Sequence, residues 1–420
     1  MLSANRDRSK AGRLRSEIGS DVVEYPPLLM SWIAFPVTVL GADPCHPAQA
    51  KRYDNAIRMS LVVADILSLA CITMVLGRKT NVVVTAVGTL TYTAGGALLY
   101  ALIYDRSDIL VGSVIAAAIA ALLLGSPAWL SLGLLAMASE LKMAPLAMCP
   151  IFIIGVLPCR VLEGTTHNLI RAIAARALLF ASFLCAGLIP FVASSGLDCL
   201  QFLRHQTSRG IQLESMSATV LLLMHDLGLP LQIGHSYGST NVLVSADAAI
   251  ALAVLSVGII VEVLVVARFW KIAVGCCDSK IYKTVAQVSP TATSQYAALM
   301  LVIAVVFSKV FSPQYVLWLL GVVPMINGSD GRKNTKVQIL FLLVCASTML
   351  IYPIFFDDEV RPLRFLGQSI EFLVPTDSGI LLLFVRNTLV SWLGIVLWQT
   401  PRDTLSIRHL SGHPKAANRK

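Results

Sequence analysis

A polar cluster interrupts an apolar stretch of the chain in the sequence FSKVFSPQYVLWLLGVVP. Serine before proline, at Ser312 and Pro313, is typical of a helix start. A serine side chain can accept from the first free amides, and proline is tolerated at the first helical position. The residue before a proline is disfavoured in a helix. The pattern therefore predicts that one helix ends near residue 311 and another begins at 313.

The same cluster carries groups that can bind a ligand, namely Lys309, Gln314 and Tyr315. Irregular backbone at membrane depth persists only where protein or a watery cavity satisfies it. The amide, phenol and ammonium together favour the wall of a cavity or interface. A plain helix break in a tight turn is the alternative.

A second cluster, in the stretch YDRSD, places carboxylates on both sides of an arginine at Asp105, Arg106 and Asp108. A guanidinium presents a planar set of donors that matches phosphate oxygens, and flanking carboxylates can hold it in place. The pattern indicates a phosphate-binding arginine, with a solvated loop cluster as the alternative. Lys142, beside Glu140, adds a cation inside an apolar run, where charges usually face a bundle interior or cavity.

Further polar residues fall in the interval 194–216, which we expect to be a loop over the cavity. Arg209 precedes Gly210, and glycine allows a ligand to approach the backbone closely. Glu214, a few residues on, is placed to orient the Arg209 guanidinium. A solvated loop is again the alternative.

These clusters lie in a chain of 420 residues that is 56% hydrophobic and 14% charged, with a mean hydropathy of +0.74. Soluble chains carry about 25% charge, and a helix needs about 20 apolar residues to cross a bilayer. Runs near that length occupy 55–76, 81–104, 171–193, 248–269, 337–356 and 379–398. Shorter runs occupy 27–41, 109–124, 127–139, 143–158, 295–311 and 313–326. We predict an all-α polytopic membrane protein with about 10–12 membrane segments.

The charge distribution divides the chain into a basic arm at 1–26, a membrane domain at 27–400 and a basic tail at 401–420. The net charge of +9 fits cytoplasmic loops and tails of a membrane protein. It gives no support to nucleic-acid binding, because the tail has no aromatic residues to stack on bases. The cysteine and histidine spacings predict no metal site, and no glycine-rich nucleotide loop is present.

Five stretches, in order along the chain, resemble motifs of glycosyltransferase family 87: DVVEYPPLL, YDRSDILVG, ELKMAPLAMCP, HQTSRGIQLES and FSPQYVLWLL. In the second, Ser107 replaces the usual aromatic residue. The resemblance implies a GT-C membrane fold like that of polyprenol-phosphate-mannose-dependent mannosyltransferases. It also implies a plasma-membrane enzyme that transfers a hexose from a polyprenyl-phosphate donor to a lipid or cell-envelope glycan.

The resemblance further implies roles for individual residues. Asp21 or Glu24 would be the catalytic carboxylate. The substrate-binding residues would be Asp105, Arg106, Asp108, Lys142, Arg209, Gln212, Glu214, Gln314 and Tyr315. No cofactor is implied beyond the lipid-linked donor substrate, and a requirement for a divalent metal is left open.

One departure from the family pattern concerns the beginning of the chain. The family carries an earlier membrane helix and an early aspartate, which have no counterpart before Asp21. The basic arm also favours the cytoplasmic side, whereas the resemblance puts DVVEYPP on the opposite side. We therefore expect an upstream helix to be missing. The alternatives for function are a secondary transporter and a truncated, non-catalytic relative.

Overall fold

The computed structural model of the protein describes residues 25–162, 164–228, 230–236, 239–244, 246–277, 290–326, 331–351, 360–365, 368–373 and 377–399. The predicted catalytic residues Asp21 and Glu24 lie outside this part of the chain. So do the rest of the predicted arm up to residue 24 and the predicted tail.

Helices make up most of the described chain. They are α1 (Pro27–Leu40), α2 (Pro47–Lys79), α3 (Val82–Leu98), α4 (Tyr100–Ile103), α5 (Asp108–Leu123), α6 (Ala128–Leu141), α7 (Cys149–Gly155), α8 (Cys159–Leu162), α9 (Thr166–Ser195), α10 (Gln201–Ser208), α11 (Met216–Asp226), α12 (Asp247–Cys277), α13 (Pro290–Val306), α14 (Val316–Leu320), α15 (Gly331–Met349) and α16 (Asp377–Gln399). Short 3₁₀ segments cover Ala144–Met148, Gly196–Leu200, Pro313–Tyr315 and Val323–Met325. Within the described residues, each apolar run predicted from the sequence contains helical structure.

Within the described residues, four helical segments are long and apolar enough to cross a membrane by length and composition: Pro47–Lys79, Thr166–Ser208, Asp247–Val274 and Gly379–Gln399. The second and third bury little of their surface and expose large apolar side chains such as Leu178 and Leu252. Extended apolar surface is unfavourable in water and suits contact with another apolar phase. The architecture is therefore consistent with an all-α membrane protein.

Helix α5 forms the centre of the bundle. It is apolar around its whole circumference, which is typical of a helix enclosed by others, and most of its residues are buried. It packs against α2, α6 and α14.

Two glycines allow α5 to lie against the backbone that follows the FSPQY stretch. A Cβ atom on Gly112 would lie 2.5 Å from the carbonyl oxygen of Leu317, and one on Gly321 would lie 2.3 Å from that of Gly112. Small residues permit such close approach between helices in membrane proteins. This contact fixes the segment 313–321 against the core.

The helix restart at residue 313 lies where the sequence predicts it, but the preceding helix ends earlier than the predicted position near 311. Helix α13 ends at Val306, and helical structure resumes at Pro313. The predicted capping role of the Ser312 hydroxyl is wrong, because that side chain makes no capping hydrogen bond. Instead, the Ser312 carbonyl oxygen accepts from the Tyr315 amide at 2.9 Å. This bond spans three residues and gives the tighter 3₁₀ turn.

The interval 194–216 is mostly helical, so the predicted loop is too long. Helix α9 continues to Ser195, and α10 follows the 3₁₀ segment Gly196–Leu200. Phe202 and His205 of α10 are buried while Arg204 is exposed. Helix α10 has few apolar residues, so only the spacing of its two buried positions indicates a helix, and the sequence reads as a loop.

A small antiparallel sheet anchors the remaining irregular part of this interval. Its strands are β1 (Ile211–Gln212), β2 (Gln232–Ser236) and β3 (Ser239–Leu243), in the order β1-β3-β2. Ile211 pairs with Val242, and both belong to an apolar cluster packed against α11 and α16. A separate hairpin joins β4 (Val360–Phe365) to β5 (Gln368–Leu373).

We expect Gly112→Ala to lower the free energy of unfolding by about 1–3 kcal/mol, because the added methyl group overpacks the contact with the Leu317 carbonyl. Gly77→Ala is the matched control, since a Cβ on that helical glycine meets nothing within 4 Å. The control should be neutral or stabilise by up to about 1 kcal/mol. Thermal unfolding of both purified variants in detergent measures this, and equal stability would contradict the proposed contact.

Candidate functional site

A cavity of about 1190 Å³ lies between the helix break at 307–312, α12 and the connection from α10 to β1. Its volume slightly exceeds the usual range of about 300–1,000 Å³ for small-molecule pockets. Most of the predicted binding residues line it: Arg106, Lys142, Arg209, Gln212, Glu214, Gln314 and Tyr315. The fold thus brings together polar residues from widely separated parts of the sequence.

The other predicted site residues are placed differently. Asp108 is buried behind the cavity wall and contacts Lys142. Asp105 pairs with Arg58 at the surface and is not part of the cavity lining. The sequence predicts that Asp105 and Asp108 both hold Arg106 in place. This is wrong for Asp108, whose carboxylate contacts Lys142 and Trp318 instead. Tyr25, the first residue described, also lines the cavity.

Lys142 is held by a carboxylate and a group of aromatic rings. Its ammonium lies 2.9 Å from Asp108 Oδ1, and the Trp318 indole N–H donates to the same oxygen at 2.9 Å. The ring centroids of Tyr25, Tyr315 and Trp318 lie 5.6, 5.4 and 5.8 Å from the ammonium. These distances are within the range of cation–π attraction. Asp108 lies in the first turn of α5, where the helix dipole favours a negative charge.

The aromatic residues of the broken stretch form a stack that continues away from Lys142. The rings of Tyr315 and Trp318 are 4.1 Å apart and nearly parallel, and Phe311 lies 6.4 Å beyond Tyr315. The guanidinium carbon of Arg386 lies 4.0 Å from the Phe311 ring centroid. The stack therefore contacts two cations, Lys142 beside Tyr315 and Trp318, and Arg386 over Phe311.

Arg386, on α16, is fully buried and belongs to a polar network. Its Nη1 lies 3.2 Å from Glu214 Oε2, its Nη2 donates to the Glu214 carbonyl, and its Nε donates to Asn387 Oδ1 at 3.0 Å. The Asn387 amide in turn donates to the Thr219 hydroxyl at 2.7 Å. The sequence predicts that Glu214 orients Arg209, whereas the structure shows an ion pair with Arg386.

The ionisation of Glu214 responds to its surroundings. Burial raises the pKa of this carboxyl to about 7, although the charges of Arg386 and Arg106 lower it. Desolvation can exceed the attraction within a buried ion pair. Burial is the larger effect at Glu214, so the charges of the two arginines do not fully offset the cost of desolvating its carboxylate.

Lys309 connects the helix break to the α10–β1 connection. Its ammonium donates to the carbonyl oxygens of Thr207 at 2.8 Å and Arg209 at 2.6 Å. Its own carbonyl accepts from the Gln212 amide at 2.9 Å. Arg209 donates to the Ser239 hydroxyl at 3.2 Å. These bonds fix two cationic residues of the cavity wall, and burial followed by the charge of Arg209 lowers the pKa of Lys309.

Sequence reasoning placed Lys309 at the cavity but did not assign Arg386 or Trp318 to the site. A lone arginine in the apolar run of α16 is itself a signal, because charges there usually face a bundle interior. The stack was also visible in the helical spacing of Phe311, Tyr315 and Trp318. Within the part of the chain that the structure describes, no three His, Cys, Asp or Glu residues are grouped to hold a metal ion.

Comparison with known proteins gives no match: neither a family model nor a curated protein nor a solved structure is significantly similar to the chain. The resemblance to glycosyltransferase family 87 consequently rests on the short motifs alone.

We expect Arg386→Met to lower the free energy of unfolding by about 3–5 kcal/mol, because it leaves the buried Glu214 carboxylate without its partner. Arg58→Met is the matched control: its ion pair with Asp105 has a similar length, 3.3 Å, but is exposed. Exposed pairs contribute about 0–1 kcal/mol. Thermal unfolding of both variants in one detergent compares them. Equal losses of stability would contradict the claim that the buried Glu214–Arg386 pair stabilises the fold more than the exposed pair does.

Proposed function

We propose that this protein is a multi-pass membrane glycosyltransferase of the GT-C type. It transfers a hexose, mannose in the first instance, from a polyprenyl-phosphate donor to a lipid or cell-envelope glycan at the plasma membrane. The observation that carries the proposal is the cavity itself. It combines cations suited to a phosphate with an apolar wall suited to a lipid chain.

The charges along the cavity favour an anionic ligand. The cations Arg106, Lys142, Arg209 and Lys309 line it, and among the described residues the carboxylates in its lining are Glu214 and Glu262. Glu214 is already paired with Arg386. Cations fixed in advance around a phosphate stabilise the charge that develops as it leaves.

The opposite wall favours the lipid part of such a ligand. Helix α12 contributes Ala248, Ala251, Leu252 and Leu255 to the lining. Ile259 and Ile260 of the same helix are exposed at 52% and 59% and do not line the cavity. The same apolar helix therefore borders both the cavity and the surroundings of the bundle. An amphiphilic ligand can place its headgroup at the cations while its chain stays against this helix.

Tyr315 and Gln314 form part of the wall between these regions. The Tyr315 ring is stacked on Trp318 and Phe311, so its phenol hydroxyl and the neighbouring Gln314 amide are the groups that can hydrogen-bond the hydroxyls of a sugar. This supports their predicted role at the donor site.

The reaction requires a base for the acceptor hydroxyl. The base removes the hydroxyl proton as the oxygen attacks the anomeric carbon, and the bond from that carbon to the phosphate oxygen breaks with its electron pair leaving on the phosphate. Proton transfer of this kind contributes about 10²–10⁴-fold in rate. We assign the base to Asp21 or Glu24, as the motif resemblance implies, and the binding of the leaving phosphate to Lys142 and Arg209.

The direct test is transfer by the purified chain. Labelled polyprenyl-phosphate sugars are incubated with the protein and total membrane lipids, and products are separated by chromatography. A labelled lipid or glycan, formed with release of polyprenyl phosphate, is the expected result. Ion-gradient-dependent uptake into proteoliposomes without any new glycosidic bond would contradict the proposal and favour the transporter alternative.

We expect Arg209→Lys to weaken binding of the polyprenyl-phosphate donor by about 10-fold or more, because lysine cannot present two parallel donors to a phosphate. Arg204→Lys is the matched control on the neighbouring helix, since Arg204 is exposed and is not part of the cavity lining. Equilibrium binding to both purified variants gives the comparison. Unchanged affinity in Arg209→Lys would refute its role.

We also expect Asp21→Asn to lose far more turnover than Glu24→Gln, with both variants still inserted in the membrane. The expected loss for the base is about 10²–10⁴-fold. Rates of sugar transfer at saturating donor, normalised to folded protein, measure it. If both substitutions reduce turnover only mildly and to the same extent, neither Asp21 nor Glu24 is the catalytic base.

A further inference from the structure

Gln212 brings to the cavity an acceptor that the protein does not satisfy. Its side chain is buried, at 7% exposure, and lines the cavity. Its amide oxygen has no hydrogen-bond partner among the described residues. Buried polar atoms are normally paired, and an unpaired one is costly. The oxygen itself is enclosed, and rotation of the side-chain amide about its last bond turns it toward the cavity, where a ligand can supply the missing donor.

The backbone of Gln212 is held on every side, so its side chain is not placed there by a loose loop. The Gln212 amide donates to the Lys309 carbonyl at 2.9 Å, and its carbonyl accepts from the Ser215 amide at 2.9 Å. Gln212 also pairs with Asn241 across β1 and β3. Successive residues of a strand point to opposite sides. Since Ile211 packs into the apolar cluster, Gln212 faces the cavity.

The immediate neighbours of Gln212 are cations. Arg209 lies three positions earlier in the same connection, and Lys309 bonds the backbone of both residues. An acceptor beside phosphate-binding cations suits a ligand that carries a hydroxyl donor next to its anionic group. A sugar phosphate has this arrangement, whereas a bare lipid phosphate lacks the neighbouring hydroxyls.

We propose that Gln212 determines specificity, in that its amide oxygen accepts a hydrogen bond from one hydroxyl of the donor sugar. The class of ligand and the place of Gln212 among the substrate-binding residues rest on the proposed function, and the hydrogen bond from a sugar hydroxyl to its amide oxygen is additional to it. A site built around a buried acceptor rejects analogues that lack the matching hydroxyl, because the acceptor is then left unpaired. Gln212 thus distinguishes the loaded donor from the lipid phosphate that remains after transfer.

The test measures equilibrium binding of polyprenyl-phosphate mannose and of polyprenyl phosphate to the purified full chain in detergent. We expect Gln212→Met to weaken binding of the mannose-bearing lipid by about 10–100-fold and to leave binding of the bare phosphate unchanged. One monodeoxy analogue of the mannose lipid should bind the wild-type protein as weakly as the variant binds the full sugar. Without ligand, the variant should be as thermally stable as the wild type or more so, because an unpaired acceptor has been removed.

Gln295→Met is the matched control. Gln295 is also buried with an unpaired amide oxygen, but it does not line the cavity, and its amide nitrogen donates to the Leu397 carbonyl at 2.8 Å, so this variant is a control for ligand binding and not for stability. This variant should bind both lipids as the wild type does.

The outcomes separate this inference from the proposed function. If sugar transfer occurs but Gln212→Met binds both lipids normally, or loses both equally, the role of Gln212 is overturned and the proposed function stands. If the wild type binds neither lipid and transfers no sugar, the proposed function fails and the inference fails with it.

Discussion

The cavity depends on one chain of contacts, the aromatic stack of Phe311, Tyr315 and Trp318 with its two cations. Lys142 is held beside Tyr315 and Trp318 by Asp108 and the rings, and Arg386 covers Phe311. Each cation lies in an apolar bundle, where an unpaired charge is costly. The carboxylates, carbonyls and rings that satisfy these cations consequently fix the relative positions of α5, α6, α16 and the helix break.

The same requirement explains why the chain can leave helical geometry between Val306 and Pro313. Exposed backbone groups are not tolerated in an apolar phase, and here they are paired within the protein. The Lys309 carbonyl accepts from the strand residue Gln212, while the Lys309 ammonium donates to two carbonyls of the α10–β1 connection. The break and the connection therefore stabilise one another. Together they form the polar half of the cavity.

The two halves of the cavity are chemically different, and this difference is the main support for an amphiphilic ligand. Cations fixed by carbonyls and carboxylates line one half, whereas α12 supplies small and branched apolar residues to the other. A free sugar phosphate would gain little from the apolar wall, and a neutral lipid would leave the cations unused. A lipid-linked sugar phosphate uses both. Gln212, with its unpaired acceptor, adds a group that can recognise the sugar itself.

The sequence by itself determined the helices, because helix formation in an apolar chain follows from local composition and periodicity. The runs at 55–76, 248–269 and 379–398 lie within α2, α12 and α16, and Pro313 began a helical turn as expected. Several residues that line the cavity, such as Arg106, Lys142 and Arg209, were also identifiable in the sequence as polar groups that lie between apolar runs. Only the tertiary structure decided the pairing. Glu214 pairs with Arg386, which lies 172 positions away in the chain, and Asp108 with Lys142. Local sequence cannot specify such partners, because helix packing chooses them among all the charges that an apolar bundle must bury.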